Sequence, residues 1–468
     1  MPILSTTTFR LAASLALAPL PAQAQDSPDA RAFFGLYKQL VETNTTLSAG
    51  SCTQAASQIA ARLKAAGYAD GDITLFSTPD HPREGGLVAV LKGSDPKAGP
   101  MLLLAHLDVV EAKRADWVRD PFTLIEEGGF YYGRGTTDDK AMAAIWADSL
   151  IRFKQTGYHP KRTIKLALTC GEETTYAFNG ADWLAKNKPD LIAAEFALNE
   201  GGGGQLDAAG NRKVLAVQVG EKASQNYTFE TTNSGGHSSQ PVPDNAIYEL
   251  ADAVKAVQGY EFPIRFTETT RAFFTAVAPT VAAPMGQAIR KLMADPGDKA
   301  ADAIVSRDKA FHSTLRTTCV ATLLSAGHAE NALPQRATAN INCRIFPGET
   351  AEATRAKLQE LAGPKVKVTA NAPIRPVAIP PTLDPKIIGP MTTVAAKHFP
   401  GIPILPSMST GATDGIFLEA IGIPVYGAPG TFLETDFNGI HGLNERLRKT
   451  SLDDARSYLY DLVKAYAG

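Results

Sequence analysis

The stretch "TIKLALTCGEE", residues 163–173, runs from an apolar segment of strand length straight into two adjacent glutamates. An apolar run of that length suits a buried strand, while neighbouring carboxylates repel and do nothing for a core. A solvated turn is the plain reading of "GEE". The sharper one gives the pair separate tasks, one holding a metal and the other moving a proton. The surroundings decide the fold. Upstream lie the strand-like "GLVAVLKG" (86–93) and "PMLLLAHLD" (100–108) and the helical spacing of "KAMAAIWADSLIRFKQTG" (140–157). Downstream come a helix, "NGADWLAKN" (179–187), and the run "AEFALNEGGGG" (194–204). Two amphipathic helices, "PDARAFFGLYKQLVE" (28–42) and "CTQAASQIAARLKAAGY" (52–68), precede them all. Strands alternating with helices predict an α/β fold, a mostly parallel sheet with helices on both faces.

The pattern changes near residue 221. "QNYTFETTNS" (225–234) alternates like a half-exposed strand, and "DNAIYELADAVKAV" (244–257) is a helix capped by Asp244. "TTCVATLLSAG" and "QRATANINCRIF" read as strands, "TAEATRAKLQELAG" as a helix and "KVKVTA" as a last short strand. Residues 221–374 are therefore an α+β insert, with a longer, partly helical piece at 260–317. The α/β pattern occupies 25–220 and returns over 375–468 with "IPILP", "IPVYGAP" and a final helix, "SLDDARSYLYDLVKAYA".

Residues 1–24 read as a secretory signal peptide: Arg10, an apolar run too short to span a membrane, and Ala22-Gln23-Ala24 as a small-residue cleavage site. Export to a periplasmic or secreted location is the expectation, with no membrane span later in the chain. The formal net charge is −2 with basic residues scattered, which excludes a nucleic-acid surface. Of the four cysteines, Cys319 and Cys343 fall in two strand-like runs, where a bridge and free thiols are equal readings. Cys52 and Cys170 read as ordinary helix and strand residues. No CxxC occurs, so a cysteine-held zinc site is not expected.

Functional groups of open α/β sheets collect beyond the carboxyl ends of the strands. "MLLLA" ends in His106, with Asp108 two residues on; "IKLALT" leads to Glu172 and Glu173; "EFALN" ends at Glu200. "GRGTTDDK" places Asp138 and Asp139 at a helix start, where the helix dipole favours negative charge. "NGIHGLN" sets His441 in a glycine-flanked loop. Each item alone is weak. Together they would repel without cations, and imidazoles mixed with carboxylates suit zinc, cobalt or manganese. The surplus of carboxylates, one of them free, points to a two-metal hydrolase.

The order HLD, GRGTTDDK, GEE, NEGGG, an inserted SGGHSS and a late GIHG resembles the family of co-catalytic zinc metallopeptidases, which includes glutamate carboxypeptidase, aminoacylase, carnosinase and succinyl-diaminopimelate desuccinylase. The long insert makes the chain most similar to the carboxypeptidase S-type members. The resemblance implies a ferredoxin-like lid that often dimerises, and hence a homodimer through the lid. It implies two Zn²⁺, with His106 and Glu200 on one, Glu173 and His441 on the other, and Asp138 on both. Asp139 occupies the neighbouring non-ligand position and reads as a capping carboxylate. Asp108 would accept the second imidazole N–H of His106, and Glu172 would be the general base. His237 in "NSGGHSSQP" would be an oxyanion donor from the lid. Arg344 in "NINCRIFPGET" would bind a substrate carboxylate, with Asn331 and the Ser409-Thr410-Gly411 backbone also touching substrate. His81, His159, His312, His328 and His398 match nothing and read as surface or turn residues.

The expected function is metal-dependent hydrolysis of an amide next to a C-terminal amino acid, in a peptide or an N-acyl amino acid. The alternatives are a small-metabolite deacylase and, from another class, an inactive binding protein on the same fold. Nucleophilic routes are not expected, since neither GxSxG nor a P-loop occurs.

Overall fold

A computed structural model describes residues 27–174, 178–428 and 430–468. The signal-peptide reading of residues 1–24 lies outside them. The central sheet is ten-stranded over the described residues. Its order begins Ile73–Thr78, His81–Leu91, Ile164–Thr169, Met101–His106, Phe196–Asn199, Val425–Gly427. It continues with Arg212–Glu221, Gly202–Leu206 and Phe432–Leu433, and Ile404–Ser409 also pairs with Arg212–Glu221. The middle strands are parallel and the edges bring in antiparallel pairs.

The Met101–His106 strand is buried throughout, as a central parallel strand with both faces covered must be. Its alternate residues divide between two cores. Met101 and Leu103 pack with Ile59, Trp146 and Leu459 from helices on one face. Leu102 and Leu104 join Leu184 and Ile416 on the other.

The insert forms an antiparallel sheet in the spatial order Thr318–Ala326, Arg336–Ile345, Ala223–Thr232, Lys367–Ala370. With helices Ala246–Gln258 and Ala351–Ala362 the chain order is β-α-β-β-α-β, the ferredoxin-like arrangement. Ala223–Thr232 alternates buried and half-buried side chains, matching the period of its sequence. The additional piece is a run of four helices, Glu268–Val277 to Lys309–Thr314, with a core of its own around Phe274, Ile289 and Leu292.

Two local expectations, the Asp244 cap and unpaired Cys52 and Cys170, are corrected. The helix at 246–258 is capped by Asn245, whose side chain accepts the Ile247 N–H; Asp244 instead pairs with Lys365. The glycine run after Glu200 is itself a strand, Gly202–Leu206, held between Arg212–Glu221 and Phe432–Leu433. Cys52 and Cys170 are bridged, although 118 residues apart, with Cα atoms 6.0 Å apart. The helix that Cys52 opens packs over the sheet beside the strand that ends before Cys170. Cys319 and Cys343 are also bridged, as directly paired residues of adjacent lid strands.

Candidate active site

Register brings the chemistry to one rim. His106 pairs with Thr169, so those two strands finish level; Leu103 pairs with Leu198, so the strand ending at Asn199 stops two residues short of His106 on the same rim. Each chain then turns over the sheet edge carrying its polar group. Gly171 turns at φ +95°, where a Cβ would stand 1.8 Å from the Phe178 carbonyl oxygen. Only glycine fits there, and Glu172 and Glu173 follow it.

Two triads share Asp138, and a third grouping joins His106 with Glu172 and Glu173. His106 Nε2 lies 3.1 Å from Asp138 Oδ1 and 3.7 Å from Glu200 Oε1. His441 Nε2 lies 3.2 Å from Asp138 Oδ2 and 2.9 Å from Glu173 Oε2. Each imidazole thus faces a different oxygen of one carboxylate. His441 sits at φ +58°, a left-handed conformation uncommon outside glycine, in a loop where Phe437, Asn438 and Asn444 share that sign.

The electrostatics are those of a site built around positive charge. Burial pushes the Glu200 carboxyl well above its ordinary range, and Glu172 and Asp138 add to the shift against His106. Burial likewise raises Glu172, helped by Asp414, Glu173 and Asp138. Burial would raise Asp138 too, but its hydrogen bonds to His106 and His441 outweigh it and lower the carboxyl. Hydrogen bonds to Asp138 and Glu173 push His441 up to about 10. So many carboxylates sharing two imidazoles fit divalent cations, and one imidazole with two carboxylates per triad is a borderline-hard donor set that suits zinc, cobalt or manganese.

Asp108 is placed differently from the expectation. The His106 Nδ1 is 3.0 Å from the Asp108 main-chain oxygen and 3.6 Å from its carboxylate. That carboxylate accepts instead the backbone N–H groups of Glu172, at 3.3 Å, and Glu173, at 3.0 Å, and so fixes the glutamate turn. Asp139 holds the N-cap position of helix Lys140–Gln155 but makes no capping hydrogen bond; its side chain is buried and its Oδ2 is unpartnered.

Two supporting carboxylates gave no sequence signal. Glu445, fully buried in what reads as the charged run "NERLR", pairs with Arg134 at 2.8 Å. It also accepts the N–H groups of Gly135, Thr137 and Asp138, pinning the backbone that carries Asp138. Asp414 accepts from Thr169 Oγ1 at 2.8 Å and Asn179 Nδ2 at 2.6 Å, behind Glu172.

A cleft of about 200 Å³ opens beside the triads, lined by Glu172, Glu173, His441, Thr413, Arg344 and Arg375 among others. Arg344 reaches it from the lid strand Arg336–Ile345. Gly411 lies just before its lining residues Ala412 and Thr413, with its N–H on Ser409 Oγ. His237 and Asn331 do not line it. They sit together on an exposed two-stranded ribbon, where His237 pairs with Ala332 and the Ser238 N–H donates to the Asn331 carbonyl. His237 Nδ1 is engaged by Ser239.

Residues 102–465 match the model of peptidase family M20/M25/M40. The chain belongs to that family. It is therefore a metallopeptidase or amidohydrolase, and the family implies a metal cofactor. Human N-fatty-acyl-amino acid synthase/hydrolase PM20D1 is 28% identical over 80% of this chain and 75% of its own length. The probable carboxypeptidase S-like 2 of Dictyostelium discoideum is 27% identical over 81% and 74%. Among solved structures, the M20 family metallo-carboxypeptidase Sso-CP2 from Sulfolobus solfataricus superimposes with a TM-score of 0.72 at 18% identity, covering 93% of this chain and 99% of that one. Human carnosine dipeptidase 1 gives 0.64 at 16% identity, covering 93% and 97%. These last two likenesses are of fold. Among the described residues, no helix is long and apolar enough to cross a membrane.

Proposed function

We propose that this M20 enzyme is an exported two-zinc amidohydrolase that cleaves the amide next to a C-terminal amino acid, with Glu172 as its general base. The observation that carries the reading is the Arg344 guanidinium in the same cleft as Glu172 and Glu173. A planar guanidinium binds a carboxylate through two parallel hydrogen bonds. A substrate held that way lays the amide next to its C-terminal carboxylate near Glu172.

His106 and Glu200 would hold one ion, Glu173 and His441 the other, and Asp138 both. Bound there, the ions supply Lewis acidity that makes hydroxide available near neutral pH and polarises the amide carbonyl. The protein's own groups do the rest. Glu172 takes the proton of the attacking water on its carboxylate and returns it to the leaving nitrogen. Asp108 and Glu445 keep the Glu172–Glu173 and Asp138 backbones in place. His237 serves as oxyanion donor, delivered by lid closure or by a second subunit.

The names of the relatives favour N-acyl amino acids alongside peptides as substrates. Export is supported by the leader-like N-terminus and by two disulfides, which persist in oxidising compartments. A homodimer through the lid is supported by its edge strand Thr318–Ala326, which leaves Val320, Leu323 and Leu324 largely exposed.

The test is a screen of dipeptides and N-acyl amino acids with zinc-loaded enzyme, each beside its C-terminal amide. Hydrolysis of free acids in strong preference to amides is expected. Equal rates on acid and amide, or none on either, would remove the reading.

A further inference from the structure

Arg344 is not the only cation in the cleft. Arg375 lines it too, from the linker that leaves the lid sheet after Lys367–Ala370. Its backbone is held by a buried side chain: the Gln225 Oε1 accepts the Arg375 N–H at 3.0 Å, and the Gln225 Nε2 donates to the Asn371 carbonyl at 2.7 Å. The guanidinium lies over the Phe417 ring, 5.3 Å from its centroid, and Phe417 is buried in the α/β domain. A guanidinium held over a ring face spends no hydrogen bond on it and keeps its N–H groups for other partners.

Among the described residues, neither Arg344 nor Arg375 has a carboxylate within ion-pair distance; the Glu172 and Glu221 charges favour the Arg344 guanidinium from further off, and the Arg375 charge opposes it. The next cation, Lys222, is buried and donates to the Arg316 carbonyl. Neither guanidinium is tied up in a salt bridge, so both keep N–H donors for an anion that enters the cleft. A single substrate carboxylate occupies one of them.

We propose that Arg375 is a second anion-binding residue, so that the preferred substrate releases an amino acid with a carboxylate in its side chain. Arg344 takes the α-carboxylate and Arg375 the side-chain carboxylate of an N-acyl aspartate or glutamate, or of a peptide ending in one. This rests on the reading of Arg344 given above. The Phe417 contact and the Gln225 hydrogen bond hold Arg375 in the cleft from both sides.

Two measurements decide it. The first compares kcat/KM for N-acetylglutamate, N-acetylaspartate and N-acetylleucine in the zinc-loaded wild type, Arg375→Gln and Arg375→Lys. The wild type is expected to favour a dicarboxylate, and Arg375→Gln to lose on the order of 30-fold or more on it, the usual loss when a desolvated charge loses its partner, with a much smaller loss on the leucine substrate. Arg375→Lys should recover part of the preference. Equal losses on acidic and neutral substrates, or a wild type that prefers leucine, would overturn the proposal and leave Arg375 as a clamp between lid and sheet. The second measures binding of glutarate and butyrate calorimetrically, with no turnover required. Glutarate should bind the wild type more tightly, with the advantage lost in Arg375→Gln; equal binding would overturn the two-anion site. If no acyl amino acid is hydrolysed while glutarate still binds through Arg375, the Arg pair stands and the amidohydrolase reading falls.

Discussion

The wall of the cleft that carries Asp138, Glu172, Glu173 and Asp414 is made of strand ends and tight loops of the central sheet, whereas Arg344 and Arg375 stand on the lid sheet and its exit linker. The acidic groups are locked from behind. Asp108 accepts two backbone N–H groups of the glutamate turn, Glu445 accepts three around Asp138, and a disulfide fastens Cys170 to the helix at Cys52. The basic groups are held by strand pairing of Arg344 with Ser224 and Thr318, and by Gln225 under Arg375. The contrast teaches a division of labour. On the proposed mechanism, the groups that would hold ions and a proton come from the central sheet, and the groups that would read the substrate come from the lid sheet and its exit linker.

Removing the charge that the acidic wall is built around should have the largest effect. Chelation is expected to abolish hydrolysis, with zinc, cobalt or manganese restoring it, and Asp138→Asn should lose metal at both triads at once. Activity that survives exhaustive chelation in a protein free of transition metal by elemental analysis would break the division at its base.

On the basic wall, Arg344→Ala should cost about 2–5 kcal/mol in transition-state binding for a free-acid substrate, because a desolvated carboxylate loses its partner. The matching C-terminal amide should lose far less. A two-by-two comparison of enzymes and substrates reads this directly, and equal losses would make Arg344 a structural residue of the lid.

The anchoring of the acidic wall can be weakened without touching a charged group. Cys52→Ser with Cys170→Ser removes a bridge that closes a long loop, a change typically worth about 2–4 kcal/mol of stability. Denaturant unfolding under oxidising conditions should show that loss, accompanied by reduced turnover because the bridge ends one residue before Gly171. Unchanged turnover in the folded double variant would show that the glutamate turn does not depend on it.

A smaller effect is expected from a carboxyl beyond both walls. Burial, and then the neighbouring Glu221 charge, push Glu419 up to about 9. An unfolded glutamate titrates at about 4.3. Between those values the folded chain binds the additional proton, so stability declines as pH rises. Glu419→Gln should therefore raise the Tm by a few degrees at about pH 8 and have less effect at about pH 5. A shift of the same size at both pH values would contradict the assignment.

Much of this was legible in the sequence because it rests on local periodicity. The strands at 101–106 and 164–169, the helices at 28–42 and 449–467 and the lid strands all follow apolar spacing. The triad residues were legible because each closes a strand or opens a loop beside a recognisable motif. What was missed depends on contacts between distant segments. Nothing within "CTQAAS" or "LTCGEE" says that Cys52 meets Cys170. Glu445 reads as one charge in a charged run, and only the fold buries it against Arg134. Asp139 reads as a cap, yet the turn before Lys140 aims its carboxyl into the protein. Arg375 follows an unremarkable Pro-Ile pair, and its place in the cleft comes from Gln225, 150 residues away.

The central claim, that one glutamate of the pair holds a metal while the other moves a proton, is tested most directly by Glu172→Gln. Metal content and turnover should be measured on the same preparation. Metal content is expected to match the wild type while turnover falls by roughly 10²–10⁴, the usual contribution of a general base. Near-normal turnover in the metal-replete variant, or loss of metal together with activity, would contradict it.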